Sequence, residues 1–74
     1  MDNESIFFNP GDAIANSRDF REARRSAEVI KKERPTEKQI IIAEEDGTEI
    51  YAVYYADDAT SPNFGTPHHI KDSF

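Results

Sequence analysis

Apolar and polar positions follow two different periods along this chain. Phe20, Ala23, Ala27 and Ile30 recur three and four residues apart. At about 100° per residue they fall within an arc of about 80°, which predicts an amphipathic helix over residues 17–34. Asn16-Ser17 supplies a start signal, and Pro35 supplies the stop because it drives Arg34 out of the helical region. Two of the four stripe residues are alanine, so this helix sits close to whatever it covers while burying little area. Phe20 and Ile30 each contribute about 1.5–3 kcal/mol.

After Pro35 the period falls to two. Residues 37–43 and 48–55 are runs rich in β-branched and aromatic side chains, joined through Glu44-Glu45-Asp46-Gly47. An Asp-Gly pair between such runs predicts a hairpin, since a type I′ turn needs positive φ at both central positions. With a two-residue loop, Ile42 faces Tyr51, Ile40 faces Val53 and Lys38 faces Tyr55; the other side carries Ile41, Ala43, Ile50, Ala52 and Tyr54. A bulged three-residue loop would shift this pairing by one and relieve Glu44 opposite Glu49. Both faces are apolar in either register, and one helix covers only one of them.

Ile6-Phe7-Phe8 is a short strand or tail closed off by the turn formers Asn9-Pro10-Gly11-Asp12. Residues 57–74 are dense in turn formers and lack a period, so they read as an irregular arm. The expectation is a single α+β domain: one helix on a two- or three-stranded antiparallel sheet built around the Asp-Gly hairpin. Its 74 residues leave room for one small core. The chain has no Leu, and Ile, Val and Phe make up about a fifth of it, which keeps that core lean.

Charge sharpens this picture. The net value of −6 divides into −3 over residues 1–15, +3 over 16–38 and −6 over 39–74. An acidic total opposes non-specific adhesion to nucleic acid or anionic membrane and points to protein partners. The absence of Cys excludes a disulfide scaffold, a thiolate metal site and a cysteine nucleophile. An acidic N-terminus and a longest apolar run of seven residues, Ile50 to Ala56, fit neither a signal peptide nor a membrane span, so a cytoplasmic protein is expected.

Four groups of residues are candidates for function. Arg18, Arg21, Arg25 and Lys32 form a basic ridge opposite the apolar stripe, interleaved with Glu22, Glu28 and Glu33. Glu44, Glu45, Asp46, Glu49, Asp57 and Asp58 form an acidic set that could imitate phosphates in a cationic groove. His68-His69 lack further ligands at metal-site spacing, so no metal is expected. Neither a Gly-rich phosphate loop nor a nucleophile elbow is present, so no cofactor and no catalysis are expected. The fourth group is aromatic: if the helix covers Ile41, Ile50 and Tyr54, then Tyr51, Val53 and Tyr55 form an interaction face.

The function read from these residues is a non-enzymatic, acidic protein-binding module, an inhibitor or accessory factor on a larger protein such as a nucleic-acid-processing one. Its partner-binding residues are Tyr51, Val53, Tyr55, Glu44, Glu45, Asp46 and Glu49, with a homodimer through a sheet face as the other form of the interaction. The alternatives are a dimeric nucleic-acid-binding regulator using the ridge, and an assembly protein ordered in its complex.

Overall fold

The computed structural model describes residues 5–34 and 38–74. The sequence-based readings of Met1–Glu4, of Pro35 and of the hairpin start at Glu37 lie outside the described residues. The fold is α+β, with one helix against a five-stranded antiparallel sheet. The strands are β1 (Ile6–Phe8), β2 (Ala15–Ser17), β3 (Ile40–Glu45), β4 (Ile50–Tyr55) and β5 (Thr66–Ser73), and α1 spans Phe20–Glu33. Their order across the sheet is β1-β5-β3-β4-β2.

The helix starts later than its sequence signals suggest, because Ala15–Ser17 is drawn into the sheet beside β4. Asp19 then becomes the N-cap: its Oδ1 accepts from the Arg21 amide at 2.9 Å, while Ser17 Oγ accepts from the Asp19 amide and donates to Glu22. At the other end Arg34 closes the helix by donating its amide to the Ile30 carbonyl. The predicted stripe is the buried one, with Ala23 and Ala27 inaccessible and Phe20 and Ile30 half-buried beside them.

β3 and β4 pair through a four-residue turn, Asp46–Glu49, in place of the two-residue Asp-Gly loop. Thr48 explains the longer turn: its hydroxyl donates to the Glu45 carbonyl at 2.8 Å and accepts from the Ile50 amide at 3.1 Å, so Glu45 and Ile50 close the ladder. Gly47 and Glu49 take positive φ, 80° and 60°. The register therefore moves by two: Ile42 faces Val53, Ile40 faces Tyr55 and Glu44 faces Tyr51. An even shift keeps every side chain on its expected face.

The helix takes the face opposite to the one on which the aromatic interaction surface was based. It lies over β2, β3 and β4 and covers Ile40, Ile42, Val53, Tyr51 and Tyr55. Val53 is fully buried, and the Tyr51 ring meets Phe20 edge to face. The other face is closed by the chain itself, with Phe8, Ile41, Ala43, Ala52 and Tyr54 in a second core flanked by Ile6, Ala13 and Ala56. Phe8 on β1 stacks on Tyr54 on β4 with ring centroids 4.1 Å apart. Two strands lie between them, and a flat sheet would hold β1 and β4 about 14 Å apart. The sheet is therefore curled around this core, and Ala43 and Ala52 leave the room.

The arm expected to be irregular supplies β5, which lies between β1 and β3. Its register slips where Ile70 and Asp72 face the neighbours Ala43 and Ile42, so Lys71 is a bulge residue. His68 and Ile70 lie on the curled face before the bulge. After it Asp72 faces the helix side, and Phe74 packs into the helix-side core.

Candidate functional site

The β3–β4 turn and the start of β5 build one end of the molecule. The Asp46 amide donates to the Pro67 carbonyl at 3.1 Å, and Glu45 pairs with His68 across the sheet. Just upstream, Phe64 sits in the Ser61–Gly65 turn with 77% of its surface exposed. Gly65 allows that turn to press against β1. A Cβ there would lie 2.6 Å from Thr60 Cγ2 and 3.1 Å from the Phe8 amide nitrogen.

Four of the described acidic residues surround this end. Glu44 reaches Lys71 at 3.5 Å, and Asp46 accepts from His69 Nδ1. Glu49 is exposed, held by its turn in the left-handed region. Glu45 lies on the curled face, where it and Asp12 act on the Tyr54 hydroxyl. Burial is the larger influence on that phenol and, together with the two carboxylates, pushes its pKa from 10.0 up to about 12.

The histidines separate. His68 is fully buried: Nδ1 donates to the Thr66 carbonyl at 2.7 Å, which leaves Nε2 as acceptor for the Tyr54 hydroxyl at 3.1 Å. Phe8 and Tyr54 both meet its ring edge to face. His69 faces outward to Asp46. Among the described residues no group of three or more His, Asp or Glu is arranged to hold a metal.

The structure thus gathers Glu44, Glu45, Asp46 and Glu49 at one end, with Asp57 and Asp58 exposed beyond the opposite end of β4. It separates Tyr51, Val53 and Tyr55 from that end's surface by placing them under the helix; the Tyr55 ring lies 5.5 Å from Lys38 Nζ. Arg18, Arg21, Arg25 and Lys32 are exposed, while Arg24 on the flank approaches Glu28 and Asp72 at 3.7 and 3.9 Å. Phe64 and His68 were the residues that sequence reasoning left in an arm without structure. The turn signal in Pro62-Asn63-Phe64-Gly65 marked Phe64 as a loop-borne aromatic, whereas nothing local marks His68 as buried.

Comparison with protein-family models, curated proteins and solved structures finds no match.

Proposed function

We propose that the chain is a non-enzymatic protein-binding module that docks on a cationic surface of a larger protein. The observation that supports this reading is the exposed Phe64 at the same end as Glu45, Asp46 and Glu49. An aromatic side chain held on a short turn presents large area at low rotamer cost, and surrounding carboxylates steer encounter with a basic patch. A protein whose cationic groove normally receives phosphates is a partner of suitable chemistry, with the chain acting as inhibitor or accessory factor.

The test is capture of partners from a lysate on immobilised wild type, followed by calorimetry on the purified partner. Phe64→Ser is expected to weaken binding by about 2 kcal/mol or more, the effect of removing a central anchor. Asp46→Lys with Glu49→Lys should mainly slow association and flatten its salt dependence. Equal binding by wild type and both variants would remove this surface from consideration. Binding of nucleic acid that falls steeply with salt and is lost in Arg21→Gln/Arg25→Gln would favour the basic ridge instead.

A further inference from the structure

The two edges of the sheet are treated differently. The outer side of β1 is covered, because Thr60 bridges to Phe7 and donates its amide to the Phe7 carbonyl at 2.7 Å. β2 forms the opposite edge, and among the described residues no strand pairs with its outer side. Its three residues, Ala15-Asn16-Ser17, include neither proline nor a charged side chain, two of the features that blunt an edge, so its shortness is what limits pairing there. Beside this edge runs a groove between β2 and α1 with an apolar floor of Ile14, Ala15 and Ile30 and with Val29 on its outer rim. Val29 is 45% exposed there.

We infer that the free edge of β2 is a self-association site, at which two copies of this chain join strand to strand, antiparallel about a two-fold axis at Asn16. The groove rim carries Arg25 and Arg34 together with Glu33, so it has both signs of charge. A peptide of one sign would meet repulsion from part of that rim. A second copy related by a two-fold axis brings a rim of the same mixed composition in reverse order, which is self-complementary. The same operation sets the two helices antiparallel, with the N-terminus of each toward the C-terminus of the other, the favourable arrangement of their dipoles.

Spacing agrees with this arrangement. α1 touches β2, β3 and β4, and so is centred over β4, one strand in from the edge. At about 4.8 Å per strand, a two-fold axis just outside β2 puts the two helix axes about 14 Å apart. That exceeds the 8–10 Å of directly packed helices by about the room that long Arg and Glu side chains fill. Val29 of each copy would stand at the outer mouth of the seam. This surface is separate from the Phe64 end, so one proposal stands or falls without the other.

The chain contains no Cys, which makes a single introduced thiol diagnostic. Asn16 is exposed at the middle of β2. Antiparallel partners bring facing Cα atoms to about 4.5–5.5 Å, inside the span a disulfide bridges. Asn16→Cys is therefore expected to form a disulfide-linked dimer under mild oxidation, while Asp58→Cys, at an exposed site away from the edge, remains unlinked. Sedimentation of the wild type should show a reversible dimer, and Val29→Lys should raise its dissociation constant at least tenfold with an unchanged circular dichroism spectrum. A wild type that stays monomeric at the highest soluble concentration, or equal cross-linking of the two cysteine variants, overturns the proposal. So does a monomer whose Ala15–Ser17 amide resonances shift only on adding an unrelated extended peptide.

Discussion

At the scale of single residues, two glycines illustrate different constraints. Gly65 is required by space: a methyl group would meet Thr60 Cγ2 at 2.6 Å and the Phe8 backbone at 3.1 Å. Gly65→Ala is expected to cost about 1–3 kcal/mol, the range for forced overpacking, and to lower Tm by about 4–8 °C per kcal/mol. Gly47 has open space around it but a φ of 80°, so Gly47→Ala should cost about 1 kcal/mol through backbone strain alone. Thermal melts of the two variants check both values. Turn chemistry made the glycine positions legible in the sequence; the close approach at Gly65 depends on β1 and could not be read from its neighbours.

The Tyr54–His68 pair is the second residue-scale case. Because the folded-state pKa of Tyr54 stands at about 12 against 10.0 in the ordinary phenol, the native state holds this proton more tightly than the unfolded chain. The resulting stabilisation is complete below about pH 10 and is lost as pH rises through 10 toward 12. Tyr54→Phe should flatten that loss. It should also cost about 1–3 kcal/mol at neutral pH, since the buried His68 Nε2 would lose its donor. Urea unfolding between pH 7 and 12, together with ultraviolet titration of the phenols, tests both effects; a variant as stable as wild type at pH 7 would contradict this role of the hydrogen bond.

At the scale of elements, what was legible followed local periodicity. The stripe Phe20, Ala23, Ala27, Ile30 and the alternation through Ile40–Tyr55 both survive in the two cores. β2 and β5 were not legible, for different reasons. Ala15-Asn16-Ser17 has weak strand propensity and pairs only because β4 offers it a ladder. In β5 the bulge at Lys71 breaks the alternation, so that His68 and Ile70 point to one side and Asp72 to the other, and the period vanishes from the sequence. Deleting Lys71 should leave a regular register in which Ile70 and Asp72 still face Ala43 and Ile42, so Asp72 stays on the helix side and Phe74 stays in its core. The expected loss is about 0–1 kcal/mol, that of the partly exposed Lys71–Glu44 pair, and chemical denaturation of the deletion variant measures it. A loss of about 3 kcal/mol or more, comparable to removing a large core aromatic, would show that the bulge itself is needed to seat Phe74 in that core.

At the scale of the whole molecule, the strand order makes the last residues of the chain central to its stability. β5 fills the position between β1 and β3, so its removal would leave β1 without its ladder partner and expose the long flank of β3. The same cut takes His68 from Tyr54 and Phe74 from the helix-side core. Meanwhile the link from β1 to β2 carries the chain from one sheet edge to the other, with only the turn at Pro10–Asp12 and its flanking residues to cover the distance. That link fits the curled sheet, and the curl depends on Phe8 meeting Tyr54 across the positions held by β5 and β3. A domain this small has a margin of only about 3–5 kcal/mol from its core, less than these combined losses. Ending the chain after Gly65 is therefore expected to unfold it entirely, rather than to leave a trimmed helix and hairpin. Circular dichroism and a proton–nitrogen correlation spectrum of the 1–65 fragment decide the matter. Dispersed amide signals from Ile40–Tyr55 would mean that the hairpin and helix form a self-sufficient unit; collapse to a narrow unfolded spectrum is the outcome this topology requires.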